Sequence, residues 1–598
     1  MRINRRETQA GLSRNQAYLA SCWHNLVHSQ SLDSHRVRVL NPEFGIDEML
    51  KMQEFKGASP DERKQVRDEV FALLKSDPLL NTGAFDLIIK RLIAAMTNPA
   101  LEKESPGGPV GSLLKYFASE LDVPLKKRYV SDSLDYLAGI VIHGTHDDKL
   151  EQARFADIRV VVNNMLSTLI SRGTALESLF TLCNDGLLNQ ERPFERRWQL
   201  VSEIILGSQV RDFHIVIALD NVTSPEDFPP NIGGIQFSRT PQLEAHEGTS
   251  FKARNAQTYL RPAGSRLFAS ATVNSHDARV AGDQVLDRLN QVVNLIRFEY
   301  EAARVTVREA FAYKCEGKPV RTLLFPARVP NPSVSLDSAG VRAFIEAVDE
   351  LVLHAHFQRE GRDRVHSAFR LYRTGLDTTV LENKLTNWWT ALEYLVRGAA
   401  SDSAIGQSVE KLVAPVLAAS YLPKHLIAHR NVLVELCPPL QDPIDQKPIE
   451  LKSLSLLELY DTLRRTDIQA LLLPPLKDHP YIEEHVASFL TMLRSPKALH
   501  GQSIMHERRL RWHLQRLWRA RCDIVHSASS QRSLLLLCAN LEYYLKSTLM
   551  ALLNEVRRIP TLSGPKEFFD RQLYTHIELQ EDLKSGQDVV LKRILAVW

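Results

Sequence analysis

The stretch that most constrains this chain runs from Arg509 to Leu553 and predicts two consecutive helices. In the first helix, three leucines at steps of three and four residues share one face with Arg521. These leucines are Leu510, Leu514 and Leu517. A polar break follows from Ser527 to Ser530, and a long apolar helix comes after it. Arg521 and His526 are therefore predicted to lie at the junction of two helices.

The position of Arg521 on this face predicts that its side chain points toward neighbouring helices. A buried guanidinium without a partner is costly, so Arg521 needs an anion, a carboxylate or a cleft. Residues five apart on an ideal helix differ by roughly 140° in direction. Arg521 and His526 therefore contact one phosphate only if the helix ends or bends before His526, or if a second subunit completes the site. Arg519, seven residues before His526, shares its face.

The spacing of Arg521 and His526 is by itself a weak signal, because Arg and His are both common in this chain. Other pairs in the chain also fit a separation of five to seven residues. Among them are Arg508 with His513, Arg494 with His500, and Arg359 with His366. What sets Arg521 and His526 apart is their context, a helix with an apolar face that breaks directly after the motif.

Two segments resemble one protein family. The run LWRARCDIVHS resembles the signature of HEPN domains, which typically reads Leu-aromatic-Arg-x-Arg-Asn-x-Ile-Val-His. Trp389-Thr390-Ala391-Leu392-Glu393 resembles the Trp-x-Ala-Leu-Glu hallmark of the large abortive-infection (Apea-like) HEPN proteins. The two segments cover roughly residues 340–560. One departure is Cys522, which stands where the family usually has a polar residue, often Asn; Asp523 follows it.

The resemblance implies a metal-independent endoribonuclease that works as a dimer and needs no cofactor. RNA supplies its own nucleophile, the 2′-OH, so the site must move protons and stabilise charge on the phosphate. Carried over, His526 would be the acid and base, Arg521 the phosphate clamp and Asp523 an orienting group. Glu393 would hold Arg521 or His526. Imidazole and guanidinium suit these two tasks. Two plainer interpretations stay open: His526 as a helix cap and Glu393 as an ordinary hydrogen-bond partner within the bundle.

The motif helix is also rich in basic and aromatic residues, which single-stranded RNA binding requires. The residues predicted to contact RNA are Arg511, Arg516, Trp518 and Arg519. The alternative for each arginine is a solvated helix face. Trp388 and Trp389, in the second segment, are predicted to be core residues rather than stacking platforms for bases.

Composition excludes several classes of protein. A net charge of +3 gives no global signature of polyanion binding, so a nucleic-acid site must be local. Six scattered cysteines without a C-x-x-C pair argue against a disulfide framework and a structural zinc, and favour a reducing cytoplasm. No secretory signal and no membrane span are expected. The chain lacks a Walker-type loop and a G-x-G-x-x-G after a strand, which argues against an ATPase or a dinucleotide-dependent enzyme. It also lacks a G-x-S-x-G, which argues against a serine hydrolase.

Hydrophobic periodicity predicts a mainly α chain with four parts. Residues 1–205 read as a helical N-terminal domain, and residues 206–328 as a small α+β domain. Residues 335–560 read as a HEPN-like helical bundle with a helical insertion at about 400–505, and residues 561–598 as a helical tail. In the α+β part, Phe213 to Leu219 is predicted to be a strand and Ala278 to Tyr300 a helix. Arg304 to Arg308 and Phe311 to Cys315 are predicted to be two separate strands.

The expected function is that of a bacterial, cytoplasmic endoribonuclease in anti-phage defence, toxin-like in abortive infection. The N-terminal half would act as a sensor or regulator. The expected partners are RNA (tRNA or mRNA), a second copy of the chain and a phage-derived trigger, with no membrane. The alternative is a non-catalytic HEPN module that binds RNA or a protein partner, which Cys522 favours.

Overall fold

A computed structural model describes most of the chain. The described residues are 1–6, 11–54, 59–83, 85–102, 108–144, 148–207, 210–222, 228–243, 250–299, 305–325, 329–332, 338–353, 356–399, 405–527 and 533–598. They form two compact units. Unit 1 comprises Met1–Thr168, Cys183–Trp198 and Pro330–Trp598, and unit 2 comprises Leu169–Leu182 and Gln199–Val329.

Helices account for nearly all of unit 1. Those before its interruption are α1 (Arg14–Val27), α2 (Pro42–Glu54), α3 (Pro60–Ser76), α4 (Asp86–Met96), α5 (Pro109–Val141) and most of α6 (Asp148–Ser171). After α6 the chain alternates between the units: α7 (Leu176–Thr181) belongs to unit 2, nearly all of a π-helical turn (Leu182–Leu187) belongs to unit 1, and α8 (Phe194–Leu206) begins in unit 1 and ends in unit 2. Those after the interruption are α11 (Ser338–Leu353), α12 (Arg359–Asp377), α13 (Leu381–Val396), α14 (Ile405–Ala419), α15 (Tyr421–Leu436), α16 (Leu456–Arg464), α17 (Thr466–Leu472), α18 (Pro480–Leu493), α19 (Pro496–Ser527), α20 (Leu534–Arg558), α21 (Pro565–Ser585) and α22 (Val589–Val597). A two-stranded hairpin, β7 (Leu440–Gln441) with β8 (Pro448–Ile449), joins α15 to α16.

The N-terminal helices pack directly on the C-terminal ones. Helix α1 lies against α18, where Arg14 Nη2 is 2.5 Å from Glu483 Oε2. The hydroxyl of Tyr18 donates to Glu484, and the Arg159 guanidinium lies 3.3 Å from the same carboxylate. The segments predicted as separate domains, residues 1–205 and 335–560, therefore contribute to one packed helical unit.

Helix α19 carries the motif and lies at the centre of the C-terminal helices. It packs against α13, α14, α18 and α21. Helix α14 falls in the predicted insertion 400–505 and α21 in the predicted tail 561–598, yet both form part of the bundle around the motif. The predicted boundaries at residues 328, 335 and 400 lie outside the described residues.

Unit 2 is built on a six-stranded antiparallel sheet with the order β2-β3-β4-β1-β5-β6. Its strands are β1 (Arg211–Asp220), β2 (Asn231–Ile232), β3 (Ile235–Ser238), β4 (Leu267–Ser275), β5 (Thr306–Cys315) and β6 (Arg321–Leu324). Helix α10 (Ala278–Glu299) covers one face and α9 (Phe251–Tyr259) packs on the other. Alternate residues of β1 enter the two resulting cores, as the pleat of a buried strand requires.

A bulge in the sheet explains a buried tyrosine. The register between β1 and β5 shifts between Ile217 and Leu219, which takes the N–H of Ala218 out of the ladder. The hydroxyl of Tyr259 accepts a hydrogen bond from that N–H at 2.9 Å and donates one to the carbonyl of Ala310 at 2.6 Å. Tyr259 therefore satisfies backbone groups that would otherwise be buried without a partner.

The structure confirms a mainly helical chain with a small antiparallel sheet. The strand predicted from Phe213 to Leu219 is confirmed as part of β1, and Trp388 and Trp389 are fully buried core residues as predicted. The two strands predicted at 304–308 and 311–315 are wrong as separate elements, because one strand, β5, spans Thr306–Cys315; residues 300–304 lie outside the described part. Across the described residues, no helix is both long and apolar enough to cross a membrane. None of the six cysteines forms a disulfide.

The contact between α12 and α13 depends on a glycine. A Cβ built on Gly375 would lie 2.3 Å from Nε1 of the buried Trp388, whereas one built on Gly501 in α19 meets nothing within 4 Å. We expect Gly375→Ala to lower the free energy of unfolding, because the overpacking cost of about 1–3 kcal/mol outweighs the helix propensity gained. Gly501→Ala should instead raise it by about 0.5–1 kcal/mol. Urea unfolding measures both, and equal stabilisation by the two would contradict this account.

Candidate functional site

The helix that carries the motif does not end or bend before His526. Helix α19 is continuous from Pro496 to Ser527, so Arg521 and His526 keep the roughly 140° difference in direction of an ideal helix. Of the two geometries that would let them contact one phosphate, the helix break is therefore absent. A second subunit is the geometry that remains. The predicted polar break after Ser527 falls in residues 528–532, outside the described residues.

Arg521 faces the bundle, as its helical face predicts. Its guanidinium carbon lies 5.4 Å from the ring centre of Trp518, a distance at which a cation interacts with an aromatic face. Its side chain also donates a hydrogen bond to Cys522. The Nε atom is buried and has no hydrogen-bond partner among the described residues. Arg521 therefore retains an unused donor beside an aromatic face.

Glu393 and the tryptophans form the packing beneath Arg521. The indole Nε1 of Trp389 donates to Glu393 Oε1 at 2.7 Å, and this carboxylate is buried. The rings of Trp389 and Trp518 have their centres 5.7 Å apart. A Cβ on Gly406 would come within 2.7 Å of Trp518. The contact shown for Glu393 is thus to Trp389 rather than to Arg521 or His526. Trp518 is half-buried; it packs on Trp389 and also lines the cavity that His526 lines.

His526 is exposed and lines a cavity beside α19. The cavity has a volume of about 580 Å³ and lies between α19, the N-terminal helices α2 and α3, and the start of α20. Arg519, Cys522 and Asp523 line it together with His526. The structure therefore brings His526 together with Asp523 and Arg519 but leaves Arg521 outside the cavity lining.

Two of the arginines predicted to bind RNA are held by carboxylates of the N-terminal helices. Arg516 is only 3% exposed; its Nε donates to Glu48 Oε2 at 3.2 Å and its Nη2 donates to Glu69. Arg519 donates to the other oxygen of Glu48, with Nε 3.1 Å away. The structure corrects the prediction that Arg516 is exposed: its guanidinium is enclosed and paired with two acids.

Electrostatics keep Glu48 and Arg516 ionised at neutral pH. Burial opposes the charge of Glu48, but Arg516 and Arg519 hold its pKa at about 2. Burial also opposes the charge of Arg516, yet Glu48 and Glu69 raise its pKa above the usual value. At Glu69 burial dominates and raises the pKa of the carboxyl, although Arg516 acts against it. Glu48 is therefore the acid most firmly fixed as a carboxylate.

The other residues singled out in the sequence, Arg511, Cys522 and Asp523, each have different surroundings. Arg511 is partly buried and donates to Glu507 at 2.7 Å and to Glu410 at 3.3 Å, so it too is paired within the bundle. Burial raises the pKa of the Cys522 thiol, with Arg521 acting against this. Cys522 is therefore a thiol rather than a reactive thiolate at neutral pH. Asp523 is exposed at the cavity, next to His526 in the lining.

Sequence reasoning missed Glu48 and Glu69. Both lie in ordinary amphipathic helices of the N-terminal segment, more than 440 positions before their arginine partners. The only signal in the sequence was the excess of arginines on one helix, which implied that some of them needed acids from elsewhere. Nothing local identified which acids these are.

Comparisons of the chain with protein-family models, with curated proteins and with solved structures found no significant match. The resemblance of the two motif segments to HEPN domains therefore stays a prediction from sequence.

The ion pairs of Arg516 predict that replacing this residue would strongly lower the stability of the fold. Arg516→Met would leave the buried Glu69 carboxylate without its partner and weaken the hold on Glu48. We expect the free energy of unfolding to fall by about 3–5 kcal/mol, the usual effect of removing one member of a buried pair. Arg508→Met, at an exposed position of the same helix, should change it by about 0.5 kcal/mol or less. Urea unfolding of both variants tests this, and similar losses would show that the pairing does not stabilise the fold.

Proposed function

We propose that this chain is a metal-independent endoribonuclease of the HEPN type, acting in the cytoplasm in anti-phage defence by abortive infection. The observation that carries the proposal is the exposure and the hydrogen bonding of the two motif residues on α19. His526 is exposed at the last turn of the helix, and Arg521 keeps a buried Nε donor without a partner among the described residues. A histidine open to substrate and a guanidinium with unused donor capacity are the two groups that RNA cleavage requires.

The proposed chemistry is transfer of the phosphoryl group to the neighbouring 2′-OH of the same RNA strand. His526 accepts the proton of the 2′-OH or delivers one to the leaving 5′ oxygen, for which imidazole is suited near neutral pH. Arg521 stabilises the negative charge that grows on the phosphate through paired N–H donors. Asp523 lies close in sequence to His526 and lines the same cavity, where its carboxylate would orient the imidazole.

A second copy of the chain is part of the proposal. Within one chain, Arg521 and His526 point about 140° apart on a continuous helix. A phosphate that both groups contact must therefore receive at least one of them from a partner chain. In this proposal the Arg and His of two chains face each other across a composite cleft, as the family resemblance implies.

A non-catalytic RNA-binding module is the second candidate function. It is favoured by the divergence of Arg521 and His526 on one continuous helix and by Cys522, which stands where the family usually has a polar residue. Such a chain would recognise RNA or a protein through the motif helix without cutting anything.

Cleavage of total bacterial RNA in the presence of EDTA distinguishes the two candidates. We expect the wild-type chain to produce discrete cuts. His526→Ala should slow cleavage by about 10²–10⁴-fold through loss of proton transfer, and Arg521→Ala by about 10²–10³-fold through loss of charge stabilisation.

His366→Ala is the matched control, since His366 is an exposed helical histidine seven residues after an exposed arginine, Arg359. It should cut at the wild-type rate. Unchanged cleavage by both motif variants would refute the proposed active site. RNA left intact by the wild-type chain, both in buffer and in extracts of phage-infected bacteria, would favour the binding module.

A further inference from the structure

The cavity beside His526 contains an anion that belongs to the protein itself. Glu48, on α2, places one carboxylate oxygen on Arg516 and the other on Arg519. This two-oxygen contact with two guanidiniums is the geometry by which arginines hold a phosphate group. Arg516 is almost fully buried and still has one donor, Nη1, without a hydrogen-bond partner in the described part of the chain. The guanidiniums thus form a built anion site, and Glu48 fills it.

The position of Arg519 relates this anion site to His526. The two residues are seven apart on α19, so they share a face and lie about 10 Å apart along the helix axis. Both line the same cavity. At that separation, one phosphate cannot lie next to the Cβ atoms of both residues. It suits an RNA strand that runs along the helix, with one phosphate at His526 and a neighbouring one at Arg519.

The charge balance of the cavity opposes entry of a polyanion in this conformation. Its lining includes four carboxylates, Glu48, Glu54, Glu62 and Asp523, and three cations, Lys51, Arg516 and Arg519. The acids therefore outnumber the cations by one, and the two guanidiniums already have Glu48 as a partner. Once Glu48 moves away, the counts are equal and Arg519 is left without its carboxylate. Glu48 stays ionised at neutral pH because Arg516 and Arg519, against the effect of burial, hold its pKa at about 2.

We propose that Arg519 is a phosphate-binding subsite for the RNA strand next to the cut, and that Glu48 occupies this subsite until an RNA phosphate displaces it. The proposal rests on the proposed action on RNA and adds a binding residue and an internal competitor to it. In this arrangement α2 restrains the site, because its carboxylate competes with substrate for the same guanidinium.

The test is binding of a fluorescein-labelled single-stranded RNA oligonucleotide, followed by anisotropy in a His526→Ala background so that the probe stays intact. Glu48→Gln keeps the side chain's shape but removes its charge. We expect it to lower Kd by about tenfold, the effect of one charge-assisted contact. The slope of log Kd against log salt should steepen by about 0.7, which corresponds to one additional phosphate contact on a single strand.

Glu69→Gln is the matched control. Glu69 belongs to the same network and pairs with Arg516, but no hydrogen bond or ion pair among the described residues joins it to Arg519, on which it acts only at longer range. It is also absent from the cavity lining. It should leave Kd within about twofold and the salt slope unchanged. Adding Arg519→Gln to Glu48→Gln should abolish the gain in affinity and the change in slope.

Three results would overturn the inference: an unchanged Kd in folded Glu48→Gln, an equal gain in Glu69→Gln, or a gain that survives Arg519→Gln. Glu48→Asp replaces Glu48→Gln if the latter does not fold. It keeps the charge but draws it back from the guanidiniums, and a smaller gain that depends on Arg519 is expected; no gain again overturns the inference.

The outcome for this subsite is separable from that of the proposed catalysis. Tighter RNA binding by Glu48→Gln together with RNA that no variant cuts would support the subsite and refute the nuclease. RNA cut by the wild-type chain together with unchanged binding by Glu48→Gln would do the reverse.

Discussion

The network of Glu48, Glu69, Arg516 and Arg519 determines how the rest of unit 1 is arranged around the motif. It joins α2 and α3, near the start of the chain, to α19, near its end. The buried guanidinium of Arg516 needs counter-charges, and the half-buried Arg519 shares one of them. These ion pairs therefore stabilise the contact between the N-terminal helices and the motif helix. The same contacts form one wall of the cavity that His526 lines.

The faces of α19 contact different parts of the structure. Leu510, Leu514 and Leu517 are buried and fix the helix in the bundle. Arg521 points to the aromatic packing of Trp518 and Trp389. His526 and Arg519 point to the cavity. Because a continuous helix keeps these directions apart, the two motif residues point in different directions, and the composite site proposed above is the arrangement that would let both act on one RNA strand.

What the sequence made predictable was local in origin. A period of three to four residues predicted the leucine face of α19, the large apolar rings of Trp388 and Trp389 predicted their burial, and a run of β-branched residues predicted β1. Ion-pair partners are not local: Glu48 lies 468 positions before Arg516, and no periodicity relates them. For the same reason the N-terminal helices could be recognised as helices from sequence, but their packing on α18 through Glu483 and Glu484 could not.

The buried pairing also determines how such a site would open. Moving Glu48 away with nothing in its place would leave Arg519 unpaired and Arg516 with a single acid, at a cost of about 3–5 kcal/mol for a buried charge without its partner. An open form without an anion is therefore sparsely populated. An RNA phosphate that replaces the carboxylate removes most of this cost, because it restores a counter-charge to the same guanidiniums. Opening of α2 and binding of RNA are in this way a single coupled step, which would keep the proposed nuclease restrained when no suitable strand is present.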